Sequence, residues 1–305
     1  MTKYPEEIAG VRAFLAEARS DDAEQPSWSD MRAGYEATGA SMPVAAGVAV
    51  EEVTLDGASG GGVSGLKLTP ENVEAGRTLL YFHGGGYVIG SPLSHRGMVS
   101  EIAKAMRATA YSMDYRMAPE MPFPAAVDDG LASYKALLDM GIDPAKLVIS
   151  GDSAGGGLTM ATAISVRDAG LALPAALAPI SPWVNLANDG PAYRTKADTD
   201  PMVVKPGIDL MAAAYLNGAD AKTALASPLG ADLSGLPPML VQVGSEEVLL
   251  SDSTMLAARA GAAKTLVTLE VWPDMIHVFH FFYPMLTDGR AAIARMGRWV
   301  DETLG

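Results

Sequence analysis

Gly151-Asp152-Ser153-Ala154-Gly155 follows the apolar run Leu147-Val148-Ile149-Ser150 and leads into a helix-like stretch, Leu158 to Val166. A single serine therefore stands at a strand-to-helix corner, which is the sequence of a nucleophile elbow. The flanking glycines let the chain turn sharply, because a Cβ at either place would crowd the opposite arm, and the strained turn pushes the serine Oγ outward. The helix start behind it offers backbone N–H groups to a developing anion. Taken alone, the pentapeptide also reads as a small-residue helix start without chemistry, so its surroundings decide.

Upstream, the strand-like run Thr78-Leu79-Leu80-Tyr81-Phe82 ends in His83-Gly84-Gly85-Gly86-Tyr87. Acyl transfer needs donors for an oxyanion, and consecutive glycines bring bare N–H groups close to one. A phosphate-binding loop fits less well, because no lysine follows as a P-loop requires. A literal G-x-G-x-x-G occurs at Gly60, Gly62 and Gly65. Lying between Asp56-Gly57-Ala58-Ser59 and Leu66-Lys67-Leu68, it reads as a hairpin turn entering a strand and not as a dinucleotide site.

Around these motifs the chain alternates. Gly97 to Arg107 reads as a helix, Ala108 to Met113 as a strand, and Ala125 to Met140 as a helix stopped by Gly141-Ile142-Asp143-Pro144. Strands separated by helices imply an α/β fold with a mostly parallel sheet covered on both faces, and ligands in such sheets bind beyond the carboxyl ends of the strands. Ile8, Val11, Phe14, Leu15 and Ala18 recur at the spacing of an amphipathic helix, a stripe that reads as packing and not as a membrane anchor beside acidic flanks. Asn185 to about Ala226, with Pro191, Pro201 and Pro206, breaks the alternation.

The combination of His83-Gly84-Gly85-Gly86, Tyr115-Arg116-Met117-Ala118-Pro119-Glu120 and Gly151-Asp152-Ser153-Ala154-Gly155-Gly156 resembles the hormone-sensitive-lipase-like esterases, bacterial family IV of the α/β-hydrolases. The likeness runs from about Leu79 to the C-terminus. It implies an α/β-hydrolase fold, with Ser153 as nucleophile and the backbone N–H groups of Gly85, Gly86 and Ala154 as oxyanion donors. His83 and Gly84 then shape the loop, and the His83 imidazole braces it by hydrogen bonds instead of acting as a base. The family's cap falls on residues 1 to about 45, with Met31, Tyr35 and Met42, and on residues 185–226.

A serine hydroxyl needs a base, and the base needs a carboxylate to orient it. The chain holds four histidines: His83 in the glycine loop, His95 at the start of a helix, and His277 and His280 after the strand Leu266 to Trp272 and the Pro273-Asp274 turn. The α/β-hydrolase order of Ser, Asp/Glu, His places the base after the last strand, where His277 stands and where the family's histidine falls; His280 is expected to pack or cap. The acid should follow the strand Met239-Leu240-Val241-Gln242-Val243, in Gly244-Ser245-Glu246-Glu247-Val248-Leu249-Leu250-Ser251-Asp252. Many family members carry Asp-Pro-Leu here with a further acid later, which puts Glu247 in the catalytic place and Asp252 in the later one. A glutamate departs from the commoner aspartate but reaches one methylene farther and can still accept the imidazole N–H. Glu246 is expected to be a solvated neighbour.

At 305 residues and 49% apolar composition the chain can bury a full core, and one domain with an elaborated cap is expected over residues 1–305. A net charge of −14 disfavours nucleic acid and anionic membranes as partners and favours neutral substrates. Cysteine is absent, excluding disulfides and thiol chemistry; without HExxH or a tight His/Asp cluster, no metal and no cofactor is expected. The start lacks the basic and apolar regions of a signal peptide, so a cytoplasmic protein is expected. The resemblance implies a serine carboxylic-ester hydrolase for short-chain esters or small lactones, with dimerisation through the sheet edge as a family habit. A non-catalytic small-ligand receptor, and an amidase or acyltransferase on the same triad, are the rival readings.

Overall fold

The structure, a computed structural model, describes residues 1–18, 26–56 and 62–305. Helices α1 (Pro5–Ala18) and α2 (Trp28–Ala40) precede the hairpin β1 (Val48–Leu55) and β2 (Val63–Pro70). There follow β3 (Thr78–Phe82), α3 (Pro92–Met106), β4 (Thr109–Met113), α4 (Ala125–Asp139), β5 (Leu147–Asp152) and α5 (Ala154–Asp168). The chain continues through β6 (Ala176–Ile180), α6 (Ala192–Thr195), α7 (Lys205–Leu216), β7 (Met239–Gly244), α8 (Leu250–Ala262), β8 (Val267–Trp272) and α9 (Thr287–Leu304). The strands form one sheet in the order β1-β2-β4-β3-β5-β6-β7-β8. Only the pairings of β2 with β1 and β4 are antiparallel; from β4 to β8 every pair is parallel.

Successive side chains of a strand point to opposite faces, and β3 shows the consequence. Leu80 and Phe82 join one buried cluster with Ile149 and Leu177, while Leu79 and Tyr81 join another with Val148 and Ala178. A sheet buried on both faces needs apolar residues at every position, as in β3 and β5, and each fully buried Leu or Val contributes about 1.5–3 kcal/mol.

Helix α3 departs from expectation, and strand β6 from the usual composition of a central strand. Helix α3 begins at Pro92, earlier than Gly97, because Ser91 caps it: its side chain accepts from Ser94 N and Pro92 takes the first turn. Strand β6 carries Pro179, whose missing N–H argues against a central strand. It pairs fully with β5, and its register with β7 is limited to Leu177↔Met239 and Ile180↔Gln242. Leu66-Lys67-Leu68 lies in β2, as expected, whereas Gly60 and the turn around it fall outside the described residues.

Candidate active site

Ser153 follows β5 directly, with φ 53° and ψ −119°, and opens α5. The corner is tight enough to demand glycine at two places. A Cβ on Gly155 would lie 2.0 Å from the Phe82 carbonyl oxygen, and one on Gly151 would lie 2.4 Å from that of Gly155. The helix thus starts against the end of β3, which brings Ser153 beside the glycine loop.

That loop is held from beneath. Gly84 N donates to Asp152 Oδ1 at 3.1 Å, and Tyr81 Oη donates to the same oxygen at 2.7 Å. His95 Nε2 lies 3.4 Å from Asp152 Oδ2. Burial works against the Asp152 charge, yet His95 and the Tyr81 hydroxyl hold its carboxyl below the ordinary value. His83 Nδ1 donates to the Gly84 carbonyl at 2.8 Å, and its ring stacks on Tyr115 with centroids 4.3 Å apart. Burial pushes the His83 pKa down to about 3, so the imidazole is neutral near neutral pH. Gly85 and Gly86 have positive φ, and their amides donate to no acceptor among the described residues. Ala154 is the first residue of α5, where an amide has no intrahelical partner.

Glu247 follows β7 and His277 follows β8, so both arrive at the carboxyl end of the sheet with Ser153. Glu247 is fully buried: Oε1 accepts from Ser181 Oγ at 2.8 Å and from Gly244 N at 2.6 Å, and Oε2 lies 2.7 Å from His277 Nδ1. Since a carboxylate only accepts, the imidazole carries its proton on Nδ1 and leaves Nε2 as the basic nitrogen. Burial acts to lower the His277 pKa, but the charge and hydrogen bond of Glu247, with Asp200 and Asp152 farther off, raise it above that of an ordinary histidine. Ser153, Gly85, Gly86 and His277 share one cavity of about 270 Å³. Met31 and Tyr35 of α2 and Ile208 and Met211 of α7 line it too; Met42 instead packs against the buried cluster behind α3. Among the described residues no three His, Cys, Asp or Glu side chains group as metal ligands, and no helix is long and apolar enough to cross a membrane.

The other acids and histidines have different partners. Asp252 accepts the amides of Val184 and Asn185 through Oδ2, and burial pushes its carboxyl up to about 8. His280 packs against Phe279 and reaches Gln242 Oε1 at 2.9 Å, its pKa pushed down to about 3 by burial. Glu246 is not simply solvated: it pairs with Lys196 at 3.2 Å. Ser181 was not among the sequence candidates. It follows β6, and its Oγ also accepts from Val278 N at 3.2 Å, bracing the Glu247 and His277 loops together. Recognising β6 as a strand would have placed Ser181 at the same edge.

The alpha/beta hydrolase fold family matches residues 79–281. An acetyl-hydrolase of Streptomyces hygroscopicus is 46% identical over 230 residues, 75% of this chain and 77% of that protein. Of the solved structures, EstE5, in a crystal soaked with p-nitrophenyl butyrate, superposes with a TM-score of 0.92 at 47% identity over 98% of each chain. An esterase from the bacterial hormone-sensitive lipase family superposes with a TM-score of 0.94 at 41% identity over 100% of each chain. With fold, motif order and relatives in agreement, the chain belongs to the alpha/beta hydrolase fold family and, within it, to the carboxylesterases of the bacterial hormone-sensitive lipase family.

Proposed function

We propose that this esterase cleaves short-chain acyl esters or small lactones through an acyl-enzyme on Ser153. His277 Nε2 takes the Oγ proton as Oγ attacks the carbonyl carbon, and Glu247 holds the imidazolium that forms. The amides of Gly85, Gly86 and Ala154 receive the oxyanion. His277 returns the proton to the leaving alkoxide, the alcohol departs, and water repeats the attack to free the acid. A lactone follows the same steps with its alcohol tethered. Residues 1 to about 45 and 185–226 act as the cap, through α2 and α7.

The observation that carries this reading is the 2.7 Å contact of buried Glu247 with His277, which lines the cavity together with Ser153 and the two glycines. The cavity size and its apolar walls support small neutral substrates. The test is turnover of p-nitrophenyl esters of increasing acyl length beside small lactones. Activity should peak at short chains and fall steeply beyond about eight acyl carbons. Ser153→Ala should lower kcat by about 10⁴-fold or more while the fold persists. Ester turnover by that variant within about tenfold of wild type would sink the serine mechanism.

A further inference from the structure

Asp200 lies between α6 and α7, remote in sequence from the loop after β7, yet buried against it at 4% exposure. Its two oxygens accept three backbone N–H groups. Oδ1 takes those of Met202 and Val203, each at 2.9 Å, and Oδ2 takes that of Val248 at 2.9 Å. Met202 and Val203 line the cavity, and Val248 is the residue after Glu247. One carboxylate therefore joins the cavity wall to the loop that carries the acid.

A second tie lies on the other side of Glu247. Lys196 Nζ meets both carboxylate oxygens of Glu246 at 3.2 and 3.3 Å, and the Lys196 carbonyl accepts Asp200 N at 3.0 Å. Arg12 of α1 donates to the Thr199 carbonyl at 2.9 Å, so the same short segment is also fastened to the N-terminal helix. A local turn accounts for the bonds to Met202 and Val203. It does not account for the bond to Val248, made across the molecule by the remaining oxygen.

We infer that Asp200 is a positioning residue: it seats Glu247 against His277 and fixes the Met202–Val203 wall of the cavity, so that cap placement and acid placement are one event. The inference rests on Glu247 being the catalytic acid. Its signature is a joint effect on kcat and KM. The titratable groups around His277 are Glu247, Asp200, Asp152 and His280. Loss of the Asp200 charge removes one of three carboxylates favouring the imidazolium, so the acid limb of the activity profile moves to lower pH.

Asp200→Asn tests it, because an amide offers one oxygen and turns a donor towards either Val248 N or the Met202–Val203 pair. Steady-state rates on p-nitrophenyl butyrate across pH, with thermal unfolding alongside, should show kcat/KM reduced about 10–100-fold through both kcat and KM. The acid limb should move down, and Asp200→Glu should restore its position. A residue that served stability alone would lower Tm and leave the limb where it was. A folded Asp200→Asn within about twofold of wild type, its limb unmoved, overturns the inference. Should that variant fail to fold, Lys196→Gln decides: a KM raised about two- to fivefold supports the inference and unchanged kinetics overturn it. Glu247→Gln separates the two levels. Near-normal activity there removes the acid assignment and the inference with it, whereas a crippled Glu247→Gln beside a normal Asp200→Asn overturns the inference alone.

Discussion

At Ser153 the backbone holds a conformation that costs an L-residue about 1–3 kcal/mol and persists only where its surroundings over-determine it. Here Ser153 N is bound to the Ile180 carbonyl, and the Ser153 carbonyl accepts from Trp183 N and Gly157 N. Glu247, the proposed acid, is fixed with equal completeness, and that makes its replacement predictable. In Glu247→Gln, the amide oxygen stays with Ser181 and Gly244, and its NH2 group faces His277 Nδ1. To avoid two opposed donors the imidazole moves its proton to Nε2, the nitrogen that accepts from serine in the proposed mechanism. We expect kcat to fall about 10²–10⁴-fold with KM little changed. Asp252→Asn should stay within about threefold at pH 7, because a carboxyl with a pKa of about 8 is already neutral there and the amide retains an oxygen for Val184 and Asn185. Both variants measured on one ester decide the matter: a crippled Asp252→Asn beside a healthy Glu247→Gln would hand the role to Asp252.

Among elements, the decisive contact is the start of α5 against the end of β3. A methyl on Gly155 would meet two carbonyl oxygens, those of Phe82 and His83, at 2.0 and 2.5 Å. Neither can yield without moving the strand or the glycine loop. Gly155→Ala should therefore lose about 1–3 kcal/mol of stability and lower kcat more than it raises KM, since the elbow and the glycine loop, proposed to hold the oxyanion, move apart. Gly34→Ala, in the open face of α2 with nothing within 4 Å, should instead gain about 0.5–1 kcal/mol. Denaturant unfolding of the pair measures both signs. The same contacts explain what could be read from the chain beforehand. β3, β4, β5, β7 and β8 announce themselves as apolar runs bounded by turns, and chain order along a parallel sheet then points to Ser153, Glu247 and His277 at one edge. β6 was hidden by Pro179, and the start of α3 by a serine cap with polar residues in its first turn. Ser181 and Asp200 were beyond reach for a different reason: their partners lie 66 and 48 residues away, on loops whose meeting depends on strand order.

Across the whole molecule, buried ionisable groups draw stability and activity toward different pH. His83 and His280 are buried with pKa values near 3. A histidine lowered from about 6.5 contributes its stability above that value and loses it as pH falls toward the folded pKa. Asp252 acts in the opposite sense. With its pKa raised from about 3.9 unfolded to about 8 folded, its contribution is complete in acid and disappears as pH rises toward 8. The raised pKa of His277 likewise yields stability that is lost as pH climbs through it. Of these four groups, the two histidines outweigh the one aspartate below about 6.5 and their joint contribution rises with pH; above it Asp252 and His277 dominate the balance, and the contribution falls. Turnover by the proposed mechanism, in contrast, needs a neutral His277, so the acid limb of kcat/KM has its midpoint above about 6.5 and activity is still rising where stability declines. Tm measured in half-unit steps from about pH 5 to 9 should pass its maximum near 6.5, at a pH where kcat/KM is still rising. Asp252→Asn, uncharged throughout, should flatten the alkaline fall in Tm and leave the activity limb in place. Coincident maxima would contradict the raised pKa of His277, and an unaltered alkaline fall in the variant would show that Asp252 is ionised in the folded protein at neutral pH.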